Sequence, residues 1–465
     1  MVLPKPAAAR GGAGVEPFCD PSWLRGSHMR RAVYRRIIRR FVRNMEEKHC
    51  RLLHQEHFLI SHELLDDHWA DVELLACEFC GSAYDWFDMD DQKKEAAAAE
   101  EAAVFFCGDV KGFRELGTGL DVIVVREFSH NYEPGEENLV PLGTVPLNVN
   151  GMGVLLRQFY RPDDQDFEEL TAAHEYQHLT ESNKEGVSYR KGIYLSEVDL
   201  RDGDLHYRLL RCSTNLDGPT ESFAQCDAAI VDDVDAIAEL FFEDPAPLNH
   251  VLAQTYHNSV VDGADKKAKI KRHSDKTEDM PCNGVIAFCT FYSKDIWSTT
   301  KASPVDRFDR VHGASSVLTR LRFRLKDCVK DRQPVESPDR RSPPWQFTLT
   351  LYPGSVFVIP LRTNRLYTHE ILPSVLPVDK LPTRLGYVVR CSATDAVYRT
   401  TGDQQGVYIE DGKVKLRQAT DADAEEVKAL YRRENMTDED FDYGLIPYTL
   451  NKGDLMIPKS FNIQS

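Results

Sequence analysis

The chain is 465 residues long, 42% hydrophobic and 28% charged, with a formal net charge of −17. This is the composition of a globular protein with room for roughly two to three domain-sized units, and its acidity argues against wholesale binding to nucleic acid. No stretch approaches the ~18 consecutive apolar residues of a membrane span, so no membrane partner is expected.

Eleven cysteines make an odd count and show no disulfide-framework spacing. With no apolar leader segment, this predicts reduced thiols and an intracellular protein, cytoplasmic or nuclear.

Residues 1–24 are rich in Ala, Gly and Pro and are expected to be disordered. Residues 25–150 read as a helical and mixed N-terminal region. It opens with eight arginines and no acid between Arg25 and Arg43. Basic and apolar pairs recur there every four residues, which predicts a helix with one basic face. That helix would either dock on the acidic body or form an arm for a polyanion. Further helix is expected over 58–105 and a short buried strand over 120–125. Residues 151–245 form a mixed region leading into the core, with helices over 167–181 and 232–242.

From about residue 250 the pattern turns to strands. Val317, Thr319, Leu321, Phe323 and Leu325 alternate with Arg320, Arg322 and Arg324, the period of a strand with one buried face. Phe347, Leu349 and Leu351 repeat it. Pro353-Gly354 predicts a turn into a strand over 355–361, and 387–389 lie in the last clear strand. The expected architecture is α+β, with a β-rich core at 246–400, a barrel or sandwich of the double-stranded β-helix, jelly-roll-like kind. Residues 401–465 form a C-terminal extension with an acidic helix near 421–435.

The chemistry concentrates in that core. His273-Ser274-Asp275 is an H-x-D, and two residues apart on a strand point to one side. With a distant His369 it makes a set of two imidazoles and one carboxylate, which suits Fe(II) with open positions for other ligands. Arg384 and Arg390 follow, and guanidinium matches a carboxylate bidentately.

In order and combination these residues resemble the AlkB-like branch of the Fe(II)/2-oxoglutarate dioxygenases. His273-Ser274-Asp275-Lys276-Thr277-Glu278 matches the family's H-x-D-K-x-E. The strand Gly284-Val285-Ile286-Ala287-Phe288 follows it, and Gly354-Ser355-Val356-Phe357-Val358-Ile359 leads to His369. Arg384-Leu385-Gly386-Tyr387-Val388-Val389-Arg390 matches the R-x5-R ending. The resemblance covers roughly 245–400, about a third of the chain.

The resemblance implies Fe(II) held by His273, Asp275 and His369, with 2-oxoglutarate as cosubstrate and O2 as oxidant. Arg384 would grip the distal carboxylate of 2-oxoglutarate, Arg390 would lie near its iron-chelating end, and Gln254 and Tyr256 would take the place of an Asn-x-Tyr. The implied reaction is hydroxylation or oxidative demethylation, with release of succinate and CO2.

Three departures stand out. Gly386 and Val388 replace an Asn and a Thr. Tyr256 stands 17 residues before His273, and Asp275 stands 94 before His369, which implies an insertion within 293–345.

The substrate is weakly legible. Lys266, Lys267, Lys269, Lys271, Arg272 and Lys276 crowd the H-x-D, and Arg320, Arg322, Arg324 and Lys326 line one core strand. Basic strips in an acidic chain favour an anionic partner, nucleic acid foremost, or else a solvated loop balancing acidic neighbours. A protein side chain or small metabolite is the alternative substrate.

Two other motifs compete. His174-Glu175-Tyr176-Gln177-His178 is an H-E-x-x-H, which on a helix would bind zinc for peptide hydrolysis with Glu175 as base. No clear third ligand follows it, and a polar helix face is the plainer expectation. Cys77-Glu78-Phe79-Cys80, with Cys50 and His54, would make a Cys3His zinc site or else buried free thiols. A catalytically inactive scaffold is the remaining class.

Overall fold

The computed structural model describes strands at 57–60, 104–107, 122–125 and 139–140, and then residues 142–144, 147–149, 152–161, 166–180, 187–211, 216–242, 244–303, 306–330, 345–437, 439 and 441–460. The basic helix expected at 30–43 and the C-x-x-C at 77–80 lie outside the described residues.

The protein is a mixed α+β structure, built mostly from antiparallel sheets with few helices among the described residues. His57–Ile60, Val104–Cys107, Val122–Val125 and Leu139–Val140 form a small parallel sheet of their own. The helix expected over 58–105 is therefore bounded by strand at both ends. The strand expected over 120–125 is present.

The elements that build the core are β1 (Val154–Leu156), α1 (Asp166–Ala172), β2 (Val187–Ser196), α2 (Gln225–Phe241), β3 (His250–Tyr256), β4 (Ile270–His273), β5 (Val285–Tyr292), β6 (Arg320–Leu325), β7 (Gln346–Thr350), β8 (Ser355–Pro360), β9 (Tyr367–Leu372), β10 (Arg384–Arg390) and α3 (Asp421–Asn435). A nine-stranded sheet runs β2-β3-β10-β5-β8-β1 through its centre, every one of these pairs antiparallel. A second sheet runs β4-β9-β6-β7, also antiparallel.

The large sheet is buried on both faces, so its strands read as near-continuous apolar runs. One face packs on α2. Val251 and Ala253 of β3, Leu385, Tyr387 and Val389 of β10, and Val285 and Ala287 of β5 meet Ile230, Val234, Ile237, Ala238 and Phe241. The α2 positions recur at three- and four-residue steps, one stripe of the helix. Asp227 caps α2 by accepting from the Ala224 N–H at 2.7 Å.

The opposite face carries the alternate residues Arg384, Gly386, Val388 and Arg390, beside Gln254, Tyr256 and Phe288. The second sheet lies over it. Phe288 meets Phe323 and His369 with ring centroids 6.4 and 5.6 Å apart, and Phe323 meets Phe357 at 5.8 Å. Each fully buried ring of this kind contributes about 1.5–3 kcal/mol.

The Pro353-Gly354 turn is present. Gly354 has φ +75°, and a Cβ there would sit 2.0 Å from the Tyr160 carbonyl oxygen, so only glycine fits between this turn and the residues after β1.

Sequence and structure differ elsewhere. The helix expected over 167–181 ends at Ala172, and Gln177–Thr180 is instead a strand paired with β2. The helix expected over 232–242 begins earlier, at Gln225. β10 is not the last strand: Thr394–Arg399 and Gly406–Ile409 follow it. They join Val198–Arg201, Asp204–Leu209 and Val414–Lys415 in a five-stranded sheet with its own core of Leu205, Tyr207, Tyr398 and Ile409. Strand pairing thus crosses residue 400 and ties the C-terminal extension to residues before the core.

The long spacings also have structural occupants. The hairpin Ser259–Val261 with Ala264–Lys266 fills the gap between Tyr256 and His273. A three-stranded meander of Lys301–Ala302, Arg310–His312 and Ser315–Ser316 sits within the expected insertion.

Candidate metal centre

The second sheet carries the histidines. His273, the last residue of β4, pairs directly with His369 in the middle of β9. Between Ile270 and His273 the register shifts by one residue against β9, a bulge that turns the end of β4. The two imidazoles lie 4.3 Å apart between centroids. Phe323, on the strand next to β9, packs against His369 at 5.6 Å.

Asp275 reaches the same point by other means. It stands beyond the end of β4, not on a shared strand face as the spacing suggests. Asn364 fixes its backbone in both directions: the Asp275 N–H donates to Asn364 Oδ1 at 2.9 Å, and Asn364 Nδ2 donates to the Asp275 carbonyl at 2.8 Å. Arg390 holds one carboxylate oxygen, donating from Nε and Nη2 to Oδ2 at 3.0 and 2.7 Å. The other oxygen, Oδ1, faces the histidines, 3.6 Å from His273 Nε2 and 3.8 Å from His369 Nε2.

One donor atom from each of the three residues falls within 4.8 Å of the others, the one such grouping among the described residues that could hold a metal ion. The protonation states suit it. His273 Nδ1 lies 2.9 Å from the Lys271 carbonyl, which can only accept, so Nδ1 is spent as a donor there and Nε2 is the nitrogen left to face Asp275. Burial, with His273 and Arg390 nearby, pushes His369 down to about 3 against the pull of Asp275, so this imidazole is neutral at physiological pH. Burial disfavours charge on Asp275, but the Arg390 guanidinium beside it, which also donates to it, outweighs burial and holds the carboxyl well below the usual range. Two imidazole nitrogens and one carboxylate oxygen are a donor set that Fe(II) accepts.

The triad opens on a cavity of about 560 Å³ that also includes Gln254, Tyr256, Arg384 and Arg390. Every residue expected at the site therefore lines one space. Tyr256 donates to Gln254 Oε1 at 2.9 Å, and the Arg384 guanidinium lies 3.8 Å from the centroid of the Tyr256 ring. Arg384 is buried, its Nε–H finds no acceptor, and no carboxylate pairs with it among the described residues. A buried guanidinium without an anion is costly, and an anionic ligand would remove that cost. Gly386 makes its pose possible: a Cβ there would stand 2.8 Å from Arg384 Nη1.

The H-E-x-x-H resolves differently. His174 follows the end of α1 and His178 lies on a strand, so no shared helix face exists. His174 is buried between two carboxylates, with Nδ1 3.1 Å from Glu221 Oε2 and Nε2 2.7 Å from Asp227 Oδ2. His178 is exposed. The shared helix face expected here, whether as a polar surface or as a zinc pair, is therefore absent, and both imidazole nitrogens of His174 are used in ion pairs.

Asn364 escaped the sequence reading. Nothing in its local pattern marks an amide in the short helix before β9 as the clamp on a residue 89 positions earlier. No family model matches the chain, and neither does any curated protein.

Proposed function

We propose that this protein is an Fe(II)- and 2-oxoglutarate-dependent dioxygenase of the AlkB-like kind, built on a double-stranded β-helix, that hydroxylates or oxidatively demethylates its substrate. One observation carries the reading. Two imidazoles and a carboxylate oxygen converge on one point, and a buried guanidinium with an unmet N–H lines the same cavity.

His273 and His369 would hold the iron through Nε2 and Asp275 through Oδ1. Bound there, iron supplies the activation of O2 coupled to decarboxylation of the oxo acid, which no side chain can perform. Arg390 keeps Asp275 ionised and turned toward the histidines. Arg384, braced by Tyr256, would take the distal carboxylate of 2-oxoglutarate as a charge-assisted pair. Phe288, Leu321, Val388 and Ile371 supply the apolar part of the cavity wall.

For the substrate, a nucleic-acid base is favoured over a protein side chain or small metabolite. Lys269, Lys271, Arg272 and Lys276 line the cavity, and Asp275 is the one carboxylate among its lining residues. Such a wall suits a phosphate backbone, and the target base would have to be flipped or single-stranded.

The test is succinate formation from 2-oxoglutarate by protein supplied with Fe(II) in air, beside His273→Ala and Arg384→Ala. Succinate lost in both variants supports the dioxygenase, and methylated oligonucleotides, peptides and metabolites then separate the substrate classes. Well-folded protein that forms no succinate and binds neither Fe(II) nor 2-oxoglutarate sinks the reading and favours an inactive scaffold.

A further inference from the structure

Lys276, Thr277 and Glu278, which follow Asp275, are each tied to the C-terminal extension, and Asp279 is joined to it through Arg211. Lys276 Nζ lies 4.0 Å from the centroid of the Tyr431 ring on α3. The Thr277 hydroxyl donates to Glu434 Oε1, also on α3, and the Tyr443 hydroxyl donates to the other oxygen of Glu434. The Tyr431 hydroxyl donates to Glu278 Oε2 at 2.8 Å. Arg211 pairs with Glu278 at 3.0 Å and Asp279 at 2.7 Å, and donates to the carbonyls of Ile446 and Tyr448 at 2.7 and 3.1 Å. Thr277, Asp279 and Glu434 are buried.

α3 is well made to act as a fixed support. Thr420 and Asp423 form a reciprocal capping box at its start, Arg432 and Arg433 sit in its last turn, and Val427 packs on Ile446 and Tyr448. Tyr431 and Asn435 of the same helix also line the cavity. Asp275 itself has Asn364 on its backbone and Arg390 on its carboxylate, and the chain immediately beyond it is held by α3.

We propose that the C-terminal helix is a working part of the metal centre, with Tyr431, Glu434 and Thr277 as positioning residues that fix the segment 276–279 and so aim the Asp275 carboxylate at His273 and His369. This rests on the metal reading above. The physical basis is that a metal needs its donors held in place. A carboxylate on an irregular segment has no strand ladder to hold it, so side-chain bonds must do so. Removing such outer partners typically weakens metal binding by about 10–100-fold.

The experiment titrates full-length protein with Co(II) alone, followed by its visible absorption, with no 2-oxoglutarate or substrate present. Wild type is compared with Thr277→Val, Thr277→Ser and Tyr431→Phe, each checked by a metal-free thermal melt and titrated well below its midpoint. Tyr431→Phe keeps the ring under Lys276 and removes one hydroxyl, so it tests the tie without a cavity. We expect wild type and Thr277→Ser to share a spectrum and an affinity. Thr277→Val should bind about tenfold or more weakly with an altered spectrum, and Tyr431→Phe should shift in the same direction. Folded Thr277→Val and Tyr431→Phe that match wild type in affinity and spectrum overturn the proposal and leave α3 as packing. Wild type that takes up no Co(II) overturns the metal reading itself, and this proposal with it.

Discussion

On each side of the large sheet a buried histidine stands beside acid, two carboxylates on one side and one on the other, and the two sides do opposite things with it. On the α2 side, His174 joins Glu221 and Asp227 in a closed network. The Tyr387 hydroxyl completes it by donating to Asp227 Oδ1 at 2.7 Å, and Lys459 Nζ donates to Glu221 Oε1 at 2.5 Å. Both ring nitrogens face acceptors, so both carry protons. Burial opposes that charge, but Asp227 and Glu221 overcome it and push His174 up to about 9. On the cavity side, His369 is pushed down to about 3 and keeps a lone pair facing an open space. A histidine next to a carboxylate is thus no site in itself. What separates the two is whether the lone pairs are already spent.

The sharpest way to break this comparison is to remove one histidine from each side. His273 is about two-fifths exposed on its side chain, so His273→Ala should leave the fold intact while abolishing Co(II) uptake and succinate formation. His174→Ala should do the reverse. It takes the shared cation from two buried carboxylates, leaving Glu221 with Lys459 and Asp227 with the Tyr387 hydroxyl and the Ala224 N–H, at a cost of about 3–5 kcal/mol in urea unfolding, with metal stoichiometry unchanged. Metal uptake lost from folded His174→Ala would erase the distinction.

Titration sharpens it further. Because the folded pKa of His174 is raised, its stabilisation is complete below its ordinary pKa of 6.5 and is lost as pH climbs through about 9. The melting temperature of wild type should therefore fall between pH 7 and pH 10, and His174→Gln should flatten that slope. An unchanged slope would mean the network is not held by charge.

A smaller effect is expected at Arg384. Gly386→Ala pushes a methyl against the flexible end of that side chain, so the melt should hardly move, while 2-oxoglutarate affinity measured by calorimetry should fall about tenfold, the worth of one charge-assisted hydrogen bond. The least effect is expected from single lysines at the cavity mouth. Lys269→Ala or Lys271→Ala should lower the salt dependence of single-stranded oligonucleotide binding by about one phosphate contact each.

Much of the core was legible because its signals are local. Period-two alternation marked β6 and β7, glycine punctuation marked the turn into β8, and the acidic composition of 421–435 marked α3 at the bounds it has. The side chains that share one cavity were legible as a combination of types, His273, Asp275, His369, Arg384 and Arg390, because imidazole, carboxylate and guanidinium have few interchangeable substitutes.

Tertiary structure decided the rest. Helical spacing over 167–181 lost to the pull of Glu221 and Asp227 on His174 and to pairing of Gln177–Thr180 with β2, since local propensity is worth tenths of a kcal/mol per residue and buried partners several times that. Asp275 meets the histidines through Asn364 and Arg390, not through strand alternation. Arg384 lies over Gly386 because no Cβ stands there. Sequence by itself determined which groups could do chemistry and that core segments such as β6, β7 and β8 would be strands. Only the fold determined which of two histidine motifs kept its lone pairs, because that depends on atoms brought together from opposite ends of the core.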